Sequence, residues 1–127
     1  MTKSLRENIA QIGLSIESLN NHFYYLEASQ DNHSAYAVFS EYANPSFRDT
    51  GSKFEEEYIQ ISLYGPDLKE LELIAEDIKN TFGEGESLFA IDGFHLDRIE
   101  RLTGPQDRKL NDIYQKIIQY KIELTKL

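Results

Sequence analysis

The chain has 127 residues, with 13 basic against 22 acidic side chains, a formal net charge of -9 and no cysteine. That length suits one domain, and a hydrophobic content of 40% with 12% aromatic residues argues against disorder. The negative charge disfavours general binding of nucleic acid or anionic lipid, because the field of the protein repels phosphate. The missing cysteines exclude disulfides, thiolate zinc sites and thiol nucleophiles.

The sequence carries no membrane or secretion signal. Apolar runs fall well short of the ~18 residues that a membrane-spanning helix needs. The first residues, up to Glu7, lead into a helical pattern rather than an apolar signal core. We therefore expect a cytoplasmic protein.

Charge is distributed unevenly along the chain. Residues 1–53 carry a net charge of -2, residues 54–97 carry -10, and residues 98–127 carry +3. One interpretation is a solvated acidic face. The other is a head-to-tail interface, in which the acidic face of one copy meets the basic hairpin of the next, and such contacts build rings when the rotation closes.

The N-terminal segment has the pattern of an amphipathic helix. Ser4 and Glu7 form a capping box. Apolar residues then recur at spacings of four and three, which is typical of one helical face: Leu5, Ile9, Ile12, Ile16 and Leu19. We expect a core-facing helix ending near Asn20 rather than a free coiled-coil seam, for which two heptads are too few.

Three strands are predicted next, over residues 22–26, 35–42 and 55–64. The third strand alternates, with Ile59, Ile61 and Leu63 on one side and Tyr58, Gln60, Ser62 and Tyr64 on the other. That alternation predicts a sheet with one apolar and one amphipathic face.

The connection over residues 43–54 is longer than a tight hairpin needs. It carries two aromatic and two basic side chains in an acidic chain: Phe47, Arg48, Lys53 and Phe54. We expect it to be the most mobile internal segment of the free protein, and to act either as a simple loop or as an arm that orders against a partner or neighbouring subunit.

A second helix is the most clearly marked element of the chain. Asp67 and Glu70 form its capping box, and Gly83 gives its C-terminal stop. Its apolar stripe should pack on the apolar side of the third strand: Leu68, Leu71, Ile74, Ala75, Ile78 and Phe82.

Two strands follow, over residues 94–102 and 112–125, with a connection that opens at Gly104–Pro105. The apolar phase shifts between Leu96 and Ile99, which indicates a bulge or an edge strand. In the last strand one face is apolar except for a lysine in the same phase: Tyr114, Lys116, Ile118, Tyr120, Ile122 and Leu124. The pattern predicts an α+β fold, a mixed or mainly antiparallel sheet of four to five strands with two helices on one face, in a single domain over residues 1–127.

Signals for catalysis or metal binding are weak. Asp92, His95 and Asp97 could supply oxygen and nitrogen ligands, but a lone histidine with scattered carboxylates favours ordinary surface residues. The Gly83–Glu86 segment follows a helix and carries two glutamates, so it is unsuited to holding phosphate. The sequence predicts no catalytic, cofactor-binding or metal site.

The order of these elements resembles the tail-completion, or head-tail joining, proteins of bacteriophages with long flexible tails, which are similar in architecture to tail terminators. The resemblance spans nearly the whole chain and rests on element order: an amphipathic helix, an aromatic strand at 23–25, an extended segment at 36–39, a long loop, the strand at 58–64, a capped helix at 67–82 and a final hairpin. Ala35 stands where such sequences often have a proline.

The resemblance implies a non-enzymatic virion protein without cofactor. It would form a ring, expected to be a hexamer, at the head-proximal end of the tail tube, contacting the tube protein and the head connector or stopper protein, with DNA only passing through the lumen. We expect the loop residues Phe47, Arg48, Lys53 and Phe54 and the basic residues Arg98, Arg101 and Lys116 to contribute to partner interfaces. Two alternatives remain: a small-molecule-binding regulatory module, and an enzyme with a metal at Asp92, His95 and Asp97.

Overall fold

The computed structural model describes residues 5–19, 22–26, 35–42, 54–83, 93–110 and 112–126. The predicted capping residue Ser4, the loop residues 43–53 and Asp92 lie outside these ranges. The elements are helices α1 (Leu5–Leu14) and α2 (Leu68–Phe82) and strands β1 (Phe23–Tyr25), β2 (Tyr36–Glu41), β3 (Phe54–Gly65), β4 (Phe94–Leu110) and β5 (Ile113–Lys126).

The five strands form one sheet in the order β1-β2-β3-β5-β4. β1 pairs with β2 in parallel, whereas the β2–β3, β3–β5 and β5–β4 pairs are antiparallel. The mixed, mostly antiparallel sheet with two helices confirms the predicted α+β class. β3 and β4 therefore run in the same direction, with β5 between them.

The core lies between the helices and one face of the sheet. Ile59, Ile61 and Leu63 of β3 are buried, as their alternation predicted. Their β5 neighbours Ile118, Tyr120, Ile122 and Leu124 are buried on the same face. Ile9 of α1 and the buried residues of α2, which do not include Leu68, complete one apolar cluster. We call this face of the sheet the helix face, and the opposite one the open face.

The N-terminal helix is shorter than its apolar spacing predicted. α1 ends at Leu14, and a 3-10 turn at Glu17–Leu19 follows. Ile16 and Leu19 are still buried, so the apolar stripe reaches the core through a change of helix type. Gly13 lies against the ring of Phe23, where any Cβ would collide with that ring. This close approach requires glycine and accounts for its presence near the end of the helix.

Helix α2 begins and ends as predicted. Asp67 accepts a hydrogen bond from the backbone N–H of Lys69 at 3.0 Å. Gly83 has φ 72° and donates its N–H to the Lys79 carbonyl at 2.8 Å. Between these caps Leu71, Ile74 and Ile78 are buried on the helix face of the sheet.

The final hairpin is longer than predicted, and the expectation that a connection opens at Gly104–Pro105 is wrong. β4 continues through this dipeptide to Leu110, and its pairing with β5 resumes at Gln106–Ile117. Register shifts occur between Leu96 and Arg98, as the phase change indicated, and again on either side of Thr103. A proline is tolerated here because β4 is an edge strand and residues at a bulge need not donate to the ladder.

Candidate functional site

The open face is not covered by the helices of the described structure, because α1 and α2 both pack on the helix face. The strand registers arrange its side chains in four-residue rows that cross β2, β3, β5 and β4. Three such rows are Tyr36–Tyr64–Gln115–Arg108, Val38–Ser62–Ile117–Gln106 and Ser40–Gln60–Gln119–Thr103. Side chains directly opposite one another on a sheet are in contact range, so each row is a continuous surface.

Tyrosine pairs lie near both ends of this surface. The rings of Tyr36 and Tyr64 stack with centroids 5.2 Å apart, and those of Tyr42 and Tyr58 meet edge to face at 5.8 Å. Burial, followed by the neighbouring tyrosine, raises the pKa of Tyr36 and of Tyr42. Tyr36 and Tyr42 therefore stay neutral at physiological pH. The two pairs present large amphipathic surfaces, of the type enriched at protein interfaces.

Amide side chains connect the middle of the open face. Gln119 donates to the Gln60 amide oxygen at 3.0 Å, Gln60 donates to the Ser62 hydroxyl at 3.3 Å, and Gln115 donates to the Tyr64 hydroxyl at 3.0 Å. Ser62 and Gln115 are buried, although neither of the helices in the described ranges covers them. These bonds hold the polar side chains flat against the sheet, which leaves a preorganised surface.

A charged band crosses the open face beside the Tyr42–Tyr58 pair. Lys121 lies 3.4 Å from Glu123 and 3.5 Å from Glu56. The hydrogen bond that Lys121 donates to Glu123, and then the charge of Glu56, raise the pKa of Lys121. Arg98 of β4 stands opposite Glu123, and Glu100 stands opposite Lys121. Because basic and acidic side chains alternate along the band, it can fix the alignment of a partner protein without a large net charge.

The predicted interface residues do not form one patch. Arg98 is exposed on the open face, whereas Arg101 stands opposite the buried Tyr120, on the helix face of the edge strand. Lys116 is also on the helix face, is buried, and donates from Nζ to Asp107 Oδ1 at 2.6 Å. Phe47, Arg48 and Lys53 lie outside the described residues, and Phe54 begins β3 without a described side chain.

His95 and Asp97, two of the three residues considered as metal ligands, form hydrogen bonds within the protein. His95 Nδ1 lies 2.8 Å from Asp97 Oδ1, while the Thr125 hydroxyl donates to Asp97 Oδ2 at 2.6 Å. Both oxygens of Asp97 thus have protein partners, and Asp92 lies outside the described residues. Among the residues described, no three histidine or acidic side chains come together as a potential metal site.

Comparison of the sequence with protein-family models and with curated proteins gives no match. The helices of the described ranges are all too short or too polar to cross a bilayer.

Sequence reasoning missed the tyrosine pairs and the glutamine contacts. The alternation of β3 placed Tyr58, Gln60, Ser62 and Tyr64 on the open side, but their partners on β2 and β5 depend on register. Register follows from which apolar residues meet across the core, here Ile61 with Phe39 and Ile118. The sequence signal for this surface is that tyrosine or glutamine recurs in all three strands at the positions that alternate with the buried apolar residues.

Proposed function

We propose that this chain is a structural assembly protein of a long-tailed bacteriophage, forming a ring on the head-proximal end of the tail tube and joining the tail to the head connector. The order of elements supports the phage assignment, because helix, short strand, two strands, helix and hairpin follow one another as in the tail-completion proteins that the sequence resembles.

The observation that carries the proposal is the open face. A sheet covered by helices on one side only, with paired tyrosines and hydrogen-bonded glutamines on the other, presents a flat and ordered surface suited to a protein partner. A small ligand would instead be expected in an enclosed pocket with convergent polar groups. We assign the open face to docking on the tail tube or the connector.

The charge distribution supports contacts between copies. Glu70, Glu72 and Asp77 on α2 have no ion-pair partner within the described ranges, and the same holds for Arg108 and Lys109 on β4. A subunit with unpaired acids on one element and unpaired bases on another can satisfy both by repeating the same contact around a ring.

The test is capping of tail tubes. The purified chain is added to tubes assembled from the tube protein encoded in the same genome, and bound protein is measured by sedimentation and electron microscopy. We expect a ring at one tube end only and an arrest of tube growth. A matched pair of variants separates docking from folding: Gln60→Arg on the open face should abolish capping, while Asn80→Arg, at an exposed position of α2, should leave it. Binding along the whole tube, or no binding by the wild type, would contradict the proposal, as would a gene neighbourhood without tail genes.

A further inference from the structure

The middle of the open face carries no charged side chain where β3 and β5 lie side by side. Six neighbouring positions of the two strands form this part, which we call the neutral centre: Gln60, Ser62, Tyr64, Gln115, Ile117 and Gln119. Charged groups stand at its margins, in the charged band at one end and at Arg108 on the edge strand. A charged group docked on the neutral centre would lose its hydration without meeting a counter-charge, so this surface favours an uncharged occupant.

The hydrogen bonds of the neutral centre leave acceptors unused on β5 and donors unused on β3. Gln119 donates to Gln60, which in turn donates to the Ser62 hydroxyl, and Gln115 donates to the Tyr64 hydroxyl. The amide oxygens of Gln115 and Gln119 accept no hydrogen bond from the described part of the chain. Within the same ranges, the hydroxyl hydrogens of Ser62 and Tyr64 have no acceptor.

Burial fixes these polar groups in place. Ser62 is 6% exposed and Gln115 is 8% exposed, so neither side chain can turn far to find another partner. Unused hydrogen-bonding capacity at such positions is unfavourable once a partner protein displaces water from the face. A carboxylate would bring only acceptors and an ammonium group only donors, whereas a peptide group brings one of each. The unused atoms therefore favour peptide groups.

The spacing of the unused atoms agrees with an extended backbone. Ser62 and Tyr64 are two residues apart on β3, which is roughly 7 Å along a strand, and Gln115 and Gln119 are four residues apart on β5, roughly 14 Å. An extended segment turns its peptide groups to the same side every two residues, so its repeat is also about 7 Å. A segment aligned with the strands thus meets the donors at one repeat and the acceptors at two.

We propose that the neutral centre binds an extended, uncharged segment of the docking partner through its peptide groups. The N–H groups of the segment donate to the amide oxygens of Gln115 and Gln119. Its carbonyl groups accept from the hydroxyls of Ser62 and Tyr64, and an apolar side chain covers Ile117 between the two glutamines. The inference rests on the proposed function, for which it names the chemistry of the partner at the docking surface.

The test compares three blocked five-residue peptides that differ only in charge: acetyl-Thr-Asn-Thr-Asn-Thr-amide and the same peptide with lysine or with glutamate in place of asparagine. Each is titrated into the full chain, and the side-chain amide signals are followed by NMR. We expect the uncharged peptide to shift the signals of Gln115 and Gln119 saturably, at a concentration at least about tenfold lower than either charged peptide. The signals of Gln11, exposed on α1, should stay unchanged and serve as the internal control.

Two variants connect the binding to the unused atoms. Gln119→Met removes an acceptor and Tyr64→Phe removes a donor while keeping the ring, so each should weaken the uncharged peptide about three- to tenfold. Urea melts of both variants check that the fold is kept. Equal binding of the three peptides, tighter binding of a charged peptide, no saturable shift, or unchanged affinity in both variants would each overturn the inference.

The peptide assay contains no phage component, so it is independent of the capping assay. Capping of tubes without a preference for the uncharged peptide would contradict this inference alone. A preference for the uncharged peptide without capping would contradict the phage function and leave the recognition of an uncharged segment in place.

Discussion

Lys116 of β5 and Asp107 of β4 form an ion pair of 2.6 Å that is buried at one end and exposed at the other, since 6% of the lysine side chain and 53% of the aspartate side chain are accessible. The two residues stand opposite each other in the sheet register, on the edge next to α2. The lysine thus extends from the core towards solvent along the strand pair, with its charge neutralised where it emerges. Lys116 is therefore a buried and paired residue, not a free cation at the surface.

Substitutions at Lys116 should therefore separate its packing from its charge. Lys116→Met keeps the buried stem and leaves Asp107 to be hydrated at the surface, so we expect a change in unfolding free energy within about 1 kcal/mol. Lys116→Glu buries a carboxylate beside Asp107 and should cost roughly 3–5 kcal/mol. Urea denaturation measures both, with Lys109→Glu on the exposed hairpin as the control. Equal losses for Met and Glu would show that packing alone matters there.

The apolar stripe of α2 gives a matched test of core burial within one helix. Leu71 and Ile78 are fully buried, and Leu71→Ala or Ile78→Ala should each cost about 2–5 kcal/mol, as large-to-small core substitutions do. Leu73→Ala removes the same atoms as Leu71→Ala from an exposed position and should change stability by less than about 0.5 kcal/mol. A loss below about 1 kcal/mol at Leu71 would contradict its place in the core.

The sequence predicts correctly which residues are buried wherever the alternation of apolar side chains along a strand decides this. Ile59, Ile61 and Leu63 and the β5 run from Ile118 to Leu124 could be assigned to one buried face, because a strand alternates and water excludes its apolar side. Two features could not be read in this way. After Leu96 the bulges of β4 break the alternation, so the pattern predicts that the strand ends at Leu102, although it continues to Leu110. The neighbours of a polar-phase residue depend on register, so nothing in the sequence paired Tyr36 with Tyr64 or placed Arg98 and Arg101 on opposite faces.

Asp97 contributes to the stability of the fold in a pH-dependent way, and its hydrogen bond with Thr125 is the largest cause. The Thr125 hydroxyl, and next the His95 ring, lower the pKa of Asp97 below its ordinary value. A carboxyl with a depressed folded-state pKa stabilises the fold above its unfolded-state pKa, and the contribution is lost as pH falls through the folded value. Thr125→Val should raise the Asp97 pKa, measured by NMR titration, and lower stability at neutral pH only. An unchanged pKa in that variant, or a stability loss that persists in strong acid, would contradict the assignment.

Gly104 in the bulged part of β4 should resist substitution. It has φ 97°, and a Cβ there would lie 2.9 Å from Ile118 Cα and nearer still to the Ile117 carbonyl oxygen. Gly104→Ala combines the cost of a left-handed backbone, about 1–2 kcal/mol, with contacts to backbone atoms that cannot rotate away. We expect a loss of at least about 2 kcal/mol in urea melts. Thr103→Ala, one residue earlier, is the control and should cost clearly less.

Reversing Arg98 and Arg101 one at a time should separate the two faces of the sheet. Arg98 belongs to the charged band of the open face, opposite Glu123, whereas Arg101 lies on the helix face of β4. Each reversal alters a surface charge, so both variants should melt within about 1 kcal/mol of the wild type. Arg98→Glu adds a third acid beside Glu123 and Glu56 and should block attachment to tail tubes. Arg101→Glu leaves the open face intact and should preserve tube attachment. If Arg98→Glu caps tubes at normal yield, the charged band has no part in docking.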